Sequence, residues 1–315
     1  MKLAMAEQRL LISADPTCDS SGLARSLFQR RAFFELHADD SGVFFEWAHG
    51  QRVVASIHFT PLPDGLWRSP ARGTFAGYVF EPSVSQQDLG AFHDAVLQSL
   101  VDRGARHIEV LPAPMAHDPV AFTNQVYLLR SRGYAISQCD LNHSLGVTDQ
   151  SLAERMTYGN QKRLRKCERE GLRAEQLSLQ DLGAVYEVIE ANRLTKGHAM
   201  SMSLPQLQTM AAKFPDAILL FGSRDGPRLA AAALCLRLGN GILYVFYWGD
   251  QPGYAALSPV VGIADAVYRH CQQEGLRLLD VGTSTVDREP HHGLIQFKRG
   301  LGFTESLKLR LHKAI

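Results

Sequence analysis

The feature that most restricts how this chain can fold is that it contains much of itself twice. FHDAVLQSLVDRGARHIEVLPA aligns with IADAVYRHCQQEGLRLLDVGTS at one fixed offset: Asp94 and Asp265, Gly104 and Gly275, and Val110 and Val281 each differ by 171. Downstream, Gly133-Tyr134 matches Gly302-Phe303 at an offset of 169. Upstream, VFFEWAHG, QRVVASIHFT and GTFAGYVF are echoed by AILLFGS, LAAAALCLRLG and ILYVFYWGD. Both sets are short β-rich runs broken by turn residues, among them DGP at Asp225 and GNG at Gly239, and so read as meanders. Self-similarity at a nearly constant spacing marks a duplicated structural unit.

Each copy predicts helix, three-stranded antiparallel meander, helix, strand, helix and strand pair. The opening helix is LARSLFQRRAFFELHA, with Leu23, Leu27, Phe28 and Phe34 at helical spacing. Leu89, Phe92, Val96, Leu97 and Leu100 form one face of the next, which Gly104 stops. A further helix falls around Phe122 to Arg132, and the first copy closes with a strand pair around YAISQCDLNHSLGV. Such stripes are buried by a mixed, mostly antiparallel sheet flanked by helices, an α/β arrangement made twice. The expected domains are residues 1–150 and 151–315.

A formal net charge of +1 excludes binding of DNA by bulk charge. The five cysteines are scattered and never form a C-x-x-C pair, which argues against a disulfide framework or a zinc site and for a reducing cytoplasm. No run of about 20 apolar residues is present to span a membrane.

The copies differ where HHGLIQFKRGLGF, residues 291–303, stands against LLRSRGY, residues 128–134: Lys298 occupies the place of Leu129. A lysine added to a repeated scaffold is a candidate for function. With the basic helix NQKRLRKCEREGL and the LLDVGTS strand, this terminus resembles the tandem acyl-CoA N-acyltransferase folds of the GNAT superfamily, specifically the FemAB and BioF2-like acyltransferases. The resemblance implies two GNAT-like domains, acyl-CoA (acetyl-CoA) as co-substrate, no metal, and a small-molecule or peptide amine as acceptor. It departs from the family in two places. The coenzyme A pyrophosphate loop, Q/R-x-x-G-x-G/A, is replaced by QPGYAALSPVVG, and the long helical hairpin of the transfer-RNA-dependent Fem ligases is missing. Both acyl-CoA and aminoacyl-tRNA therefore stay open as donors, the latter for transfer to a peptidoglycan precursor or peptide. A silent GNAT-like ligand-binding protein is the third reading, since a fold does not fix a function.

In such folds splayed central strands make the gap, and the following helix offers free N–H groups to phosphate. That assigns the donor to Ser258, Val260, Val261 and Gly262, with Ser258 as N-cap and Pro259 in the first turn, and to Tyr254 and Phe297 nearby. Tyr247 and Asp250 end the central strand, where a phenol can protonate a leaving group and a carboxylate can take the amine proton. Lys298 can neutralise a phosphate, stabilise an oxyanion or sit solvated at a helix end, and His292 can act as a base. Arg163 and Arg165 on the basic helix are candidate phosphate ligands, and Arg193, Lys196 and His198 are expected in a loop lining the acceptor cleft. No cysteine or serine stands beside an evident base, so direct attack of the amine on the donor is expected.

Overall fold

The computed structural model describes residues 8–12, 17–38, 41–286 and 288–315. The chain divides into two compact units, residues 1–140 with 306–315, and residues 141–305.

In the first unit, β1 (Gln8–Ile12), β2 (Val43–His49), β3 (Arg52–Leu62) and β4 (Leu66–Ser69) pair antiparallel in sequence. Short β5 (Val79–Phe80) folds back onto β3. The third meander strand is therefore Leu66–Ser69; GTFAGYVF yields only β5 and a bridge at Ala76, because left-handed glycines at 73 and 77 break the extended run. The opening segment is helical only at Leu27–Gln29 and in α1 (Arg31–His37), although Leu23, Leu27, Phe28 and Phe34 are all buried as their spacing requires. Helix α2 (Gln86–Asp102) leads to β6 (His107–Val110), parallel to β4, and α3 (Pro119–Ser131) follows. Strand β7 (Ala135–Gly146) is one long strand rather than a pair: Asp140 and Asn142 lie within it, but no Gly or Pro interrupts it before Gly146.

The second unit holds α4 (Leu152–Arg155), α5 (Tyr158–Arg169), β8 (Arg173–Leu177), α6 (Leu182–Thr195) and α7 (Leu204–Lys213). Its meander is β9 (Ile218–Asp225), β10 (Arg228–Gly239) and β11 (Ile242–Asp250). Asn240 and Gly241 both have positive φ, the type I′ signature that GNG predicts. Then come α8 (Pro259–Gln273), β12 (Leu278–Thr283), a small hairpin of β13 (Thr285–Val286) and β14 (Glu289–Pro290), α9 (His292–Gly300) and β15 (Thr304–Ala314).

Helices α2 and α8, and strands β6 and β12, occupy the duplicated stretches, and Gly104 and Gly275 both end their helices with positive φ. The two last strands are exchanged. Residues 142–146 of the first copy pair with β12 in the second unit, and residues 311–314 of the second copy pair with β6 in the first. Each unit builds its own core: Phe45, Phe59, Phe92, Leu128, Leu129 and Leu311 in the first, Phe221, Leu243, Val261, Val267, Tyr268 and Leu301 in the second.

Candidate functional site

The second unit's central strand carries a bulge. Leu234 faces Tyr247 and Cys235 faces Val245, which leaves Phe246 as the extra residue on β11. On its other side β11 pairs in parallel with β12 at Ile242–Tyr244 against Leu278–Asp280. Among the described residues no pairing between them continues beyond, although β11 runs on to Asp250 and β12 to Thr283. The two strands part there. Strand β12 is itself irregular between Asp280 and Thr283, with Gly282 at φ 72°; a Cβ there would lie 3.5 Å from the Tyr244 ring.

Lys298 sits on the buried face of α9 and is 1% exposed. Its Nζ donates to Gly282 O at 2.9 Å and Thr283 O at 2.8 Å. Asp280, fully buried, accepts from Gly282 N at 2.6 Å and from Asn142 Nδ2 at 3.0 Å. A buried ammonium and a buried carboxylate thus hold opposite polar groups of the same irregular backbone. Burial pushes the Lys298 pKa down to about 7, against the opposing pull of Asp280. Fully buried His143 joins the cluster, with Nδ1 3.1 Å from Ser284 Oγ and Nε2 3.5 Å from Glu305. Burial first, and Lys298 next, lower its pKa to about 4. The solvated role for Lys298 is excluded. The first unit puts Leu129 in an apolar core and pairs Glu109, at the position of Asp280, with Arg68 at 2.7 Å.

A second cluster forms where β11 meets the end of α6. Buried Tyr247 is hydrogen-bonded through its OH to Ser201 Oγ, and the Arg193 guanidinium lies 5.5 Å from its ring centroid. Arg193 belongs to the last turn of α6 rather than to a loop, and donates through Nε and Nη2 to Ala199 O. Asn192 Nδ2 donates to both Asp250 Oδ1 at 2.7 Å and Asp250 O at 2.8 Å, while Lys196 Nζ donates to Asn192 Oδ1 at 2.9 Å. His198 is exposed beside this cluster, its N–H on Arg193 O.

At the start of α8, Ser258 takes the N-cap position in a left-handed conformation, φ 52° and ψ 49°, and makes no side-chain cap bond, contrary to its expected capping. Val261 N donates to Ser258 O, and the Gly262 N–H is directed at the thiol of Cys167 on α5. Cys167 Sγ donates to Leu257 O at 2.9 Å and Lys166 Nζ to Ala256 O at 3.0 Å, so α5 lies directly over this turn. Val261 and Gly262 are buried, Val260 half-buried. Beside them an open groove of about 600 Å³ runs between α5 and α9, lined by Asn160, Arg163, Ser258, Phe297 and Arg299 among others. Phe297 packs edge-on against Trp248, ring centroids 6.0 Å apart, which ties the groove to the parted strand.

The predicted residues thus fall into three places. Tyr247, Asp250, Arg193 and Lys196 come together at the end of β11; Arg163, Ser258 and Phe297 line the groove; Lys298 lies buried with Asp280. Tyr254 donates to Asp225 Oδ2 at 2.8 Å and lines a different recess, near Arg228. His292 and Arg165 are exposed, and the cap of α9 is the neighbouring His291, whose Nδ1 accepts from Leu294 N. Sequence reasoning missed Asn192, Asn142, His143 and Ser284. For two of these a signal was present, since Asn142-His143-Ser144 is a polar run inside a strand. Among the described residues no three His, Cys, Asp or Glu side chains are placed to share a metal ion, and no helix is long and apolar enough to cross a membrane.

Residues 158–299 match the family profile described as an acetyltransferase (GNAT) domain. Over 92% of both chains the structure superposes on that of FemX, with a TM-score of 0.71 at 13% identity. Residues 158–299 thus match a GNAT domain, and the chain as a whole has the fold seen in FemX. L-PGS from Bacillus licheniformis matches with a TM-score of 0.58 at 12% identity, over 86% of this chain and 83% of that one. A tandem GNAT protein from the clavulanic acid biosynthesis pathway matches at 0.54 and 12% identity, over 88% and 84%. At these identities the likeness is one of fold. Comparison with curated proteins finds no match. The GNAT match lies in the second unit, which also holds the parted strands, the groove and Lys298.

Proposed function

We propose that this protein is an N-acyltransferase that carries an acyl group from acyl-CoA, acetyl-CoA being the simplest, to an amine on a small molecule or peptide. The observation that carries the reading is the parting of β11 from β12 beyond Tyr244 and Asp280, with Tyr247 and Asp250 at the exit of β11. An unpaired stretch between two central strands leaves backbone N–H and C=O groups for the amide-bearing arm of the donor to pair with. The groove holding Ser258, Phe297 and Arg163 receives the rest of the donor, where arginine suits phosphate.

In this scheme the neutral amine attacks the donor carbonyl, a C–N bond forms, and the tetrahedral intermediate collapses with loss of thiolate. Asp250 takes the proton from the amine nitrogen and Tyr247 OH gives one to the thiolate sulfur, each as a positioned acid or base. Asp250 rather than His292 serves as the base because it shares a cluster with Tyr247. Lys298 acts at one remove: its ammonium fixes the Gly282–Thr283 carbonyls at the edge of the gap.

One observation favours aminoacyl-tRNA as the donor instead. Helix α5 covers the start of α8 with Cys167 and Lys166, where a coenzyme A pyrophosphate would otherwise meet free N–H groups, while Lys162, Arg163, Arg165 and Arg169 give α5 an exposed basic face. Thermal unfolding separates the donors, because a ligand of the folded state raises the midpoint by mass action. Acetyl-CoA is expected to raise it in the wild type and not in Phe297→Ala. A salt-sensitive rise with aminoacyl-tRNA alone would replace the thioester by the ester, and no rise with either would overturn acyl transfer.

A further inference from the structure

The end of β11 is held from one residue that neither the sequence pattern nor the proposed chemistry assigns. Asn192 is 6% exposed and projects from the last turn of α6 onto the strand. Its amide orientation is settled by its neighbours. Nδ2 faces two oxygens of Asp250, at 2.7 Å and 2.8 Å, and Oδ1 faces the Lys196 ammonium at 2.9 Å. Turning the amide over would set oxygen against oxygen and nitrogen against ammonium. The close approach requires Gly249, since a Cβ there would lie 2.7 Å from the Asn192 side chain. The next residue, Arg193, lies over the Tyr247 ring. One helical turn thus reaches both groups to which the chemistry is given.

We infer that Asn192 is a positioning residue: oriented by Lys196, it fixes the Asp250 carboxylate at the mouth of the parted strands so that the carboxylate meets the amine. The inference rests on the proposed acyl transfer, which makes Asp250 the base. One amide donates to both the main chain and the side chain of Asp250, so the carboxylate rotamer and the strand end are locked together. Misplacing a catalytic group by about an ångström can cost on the order of 100-fold in rate.

The test compares Asn192→Ala, Asn192→Asp and Lys196→Met with wild type, using acetyl-CoA or aminoacyl-tRNA with a panel of amino acids, dipeptides and polyamines. Asn192→Ala is expected to lower kcat by roughly 10- to 100-fold with the donor KM within about twofold. Asn192→Asp, equal in size but with oxygen in place of the donating nitrogen, is expected to be slower than Asn192→Ala. A packing role reverses that order, because the smaller side chain then does more damage, and the reversed order would overturn the inference. Lys196→Met is expected to lose about threefold or more, since the amide is then oriented by its Asp250 bonds alone. Crystal structures of wild type and Asn192→Ala give a readout that needs no turnover: the Asp250 carboxylate moves to another rotamer while β11 stays in place to Gly249. An unmoved carboxylate overturns the positioning role. A wild type that is silent with every donor and amine overturns the acyl-transfer reading instead, and the crystal structures still decide whether Asn192 holds Asp250.

Discussion

Lys298 makes the stability of this protein depend on pH in a direction opposite to that of a surface lysine pair. Burial holds its pKa at about 7, against an ordinary value of 10.5 that the unfolded chain regains. Between those values the unfolded state binds the proton and the folded state does not, so stability rises with pH across the window. One such group contributes at most about 1.4 kcal/mol per pH unit, hence roughly 2–3 kcal/mol between pH 7.5 and 9.5. The comparison is Lys298→Met, which keeps the length and removes the charge. The variant also leaves the Gly282 and Thr283 carbonyls without their donor, at about 1–3 kcal/mol each, but that loss is present at both pH values. It cancels in the double difference. Urea denaturation of both proteins at pH 7.5 and 9.5 reads it: the wild type gains about 2 kcal/mol or more relative to the variant. Equal pH dependence in the two proteins would refute the lowered pKa of the buried Lys298 amine.

His143 gives the same sign in a lower window. Its pKa of about 4 lies below the ordinary 6.5, so the unfolded chain binds more protons between these values and stability rises with pH from about 4 to 6.5; His143→Asn should flatten the urea midpoint over that range. Leu129→Lys places an ammonium in the first unit's apolar core, where Glu109 is already paired with Arg68. It should cost about 4 kcal/mol or more, read as a fall in urea midpoint or a failure to fold. Gly249→Ala forces α6 away from β11 and is expected to lower both the thermal midpoint and kcat, with Gly262→Ala, whose Cβ has 3.7 Å of space, much milder in its effect on stability. Tyr247→Phe should lower kcat by about 10²-fold or more while the donor still raises the thermal midpoint, because only the proton donor is removed.

The duplicated order of elements was legible because it rests on periodicity and turn chemistry. The Asn240-Gly241 turn and the closing Gly104 and Gly275 are local features that a sequence displays directly. The exchange of the two last strands was not legible, since β7 and β15 read as strands wherever they pair. Strand β4 was missed because LWRS is short and ends at Pro70, while GTFAGYVF has the composition of a strand and the glycines of a loop. At the site, the contrast of Lys298 with Leu129 pointed to a special residue and not to its burial, which depends on where Gly282 and Thr283 turn their carbonyls. Asn192 was invisible for a similar reason. Its partner is 58 residues away, and only the packing of α6 against Gly249 brings them together.

The claim that this fold transfers acyl groups to amines is tested most directly by mass spectrometry of the products. Purified protein is incubated with acetyl-CoA, longer acyl-CoAs or aminoacyl-tRNA and an amine library, alongside Asp250→Asn. The account expects an amine whose mass rises by that of the acyl group, at a rate lowered at least tenfold by Asp250→Asn. Ligand-induced stabilisation with no acylated product from any donor would contradict it and leave a binding protein in the shape of an acyltransferase.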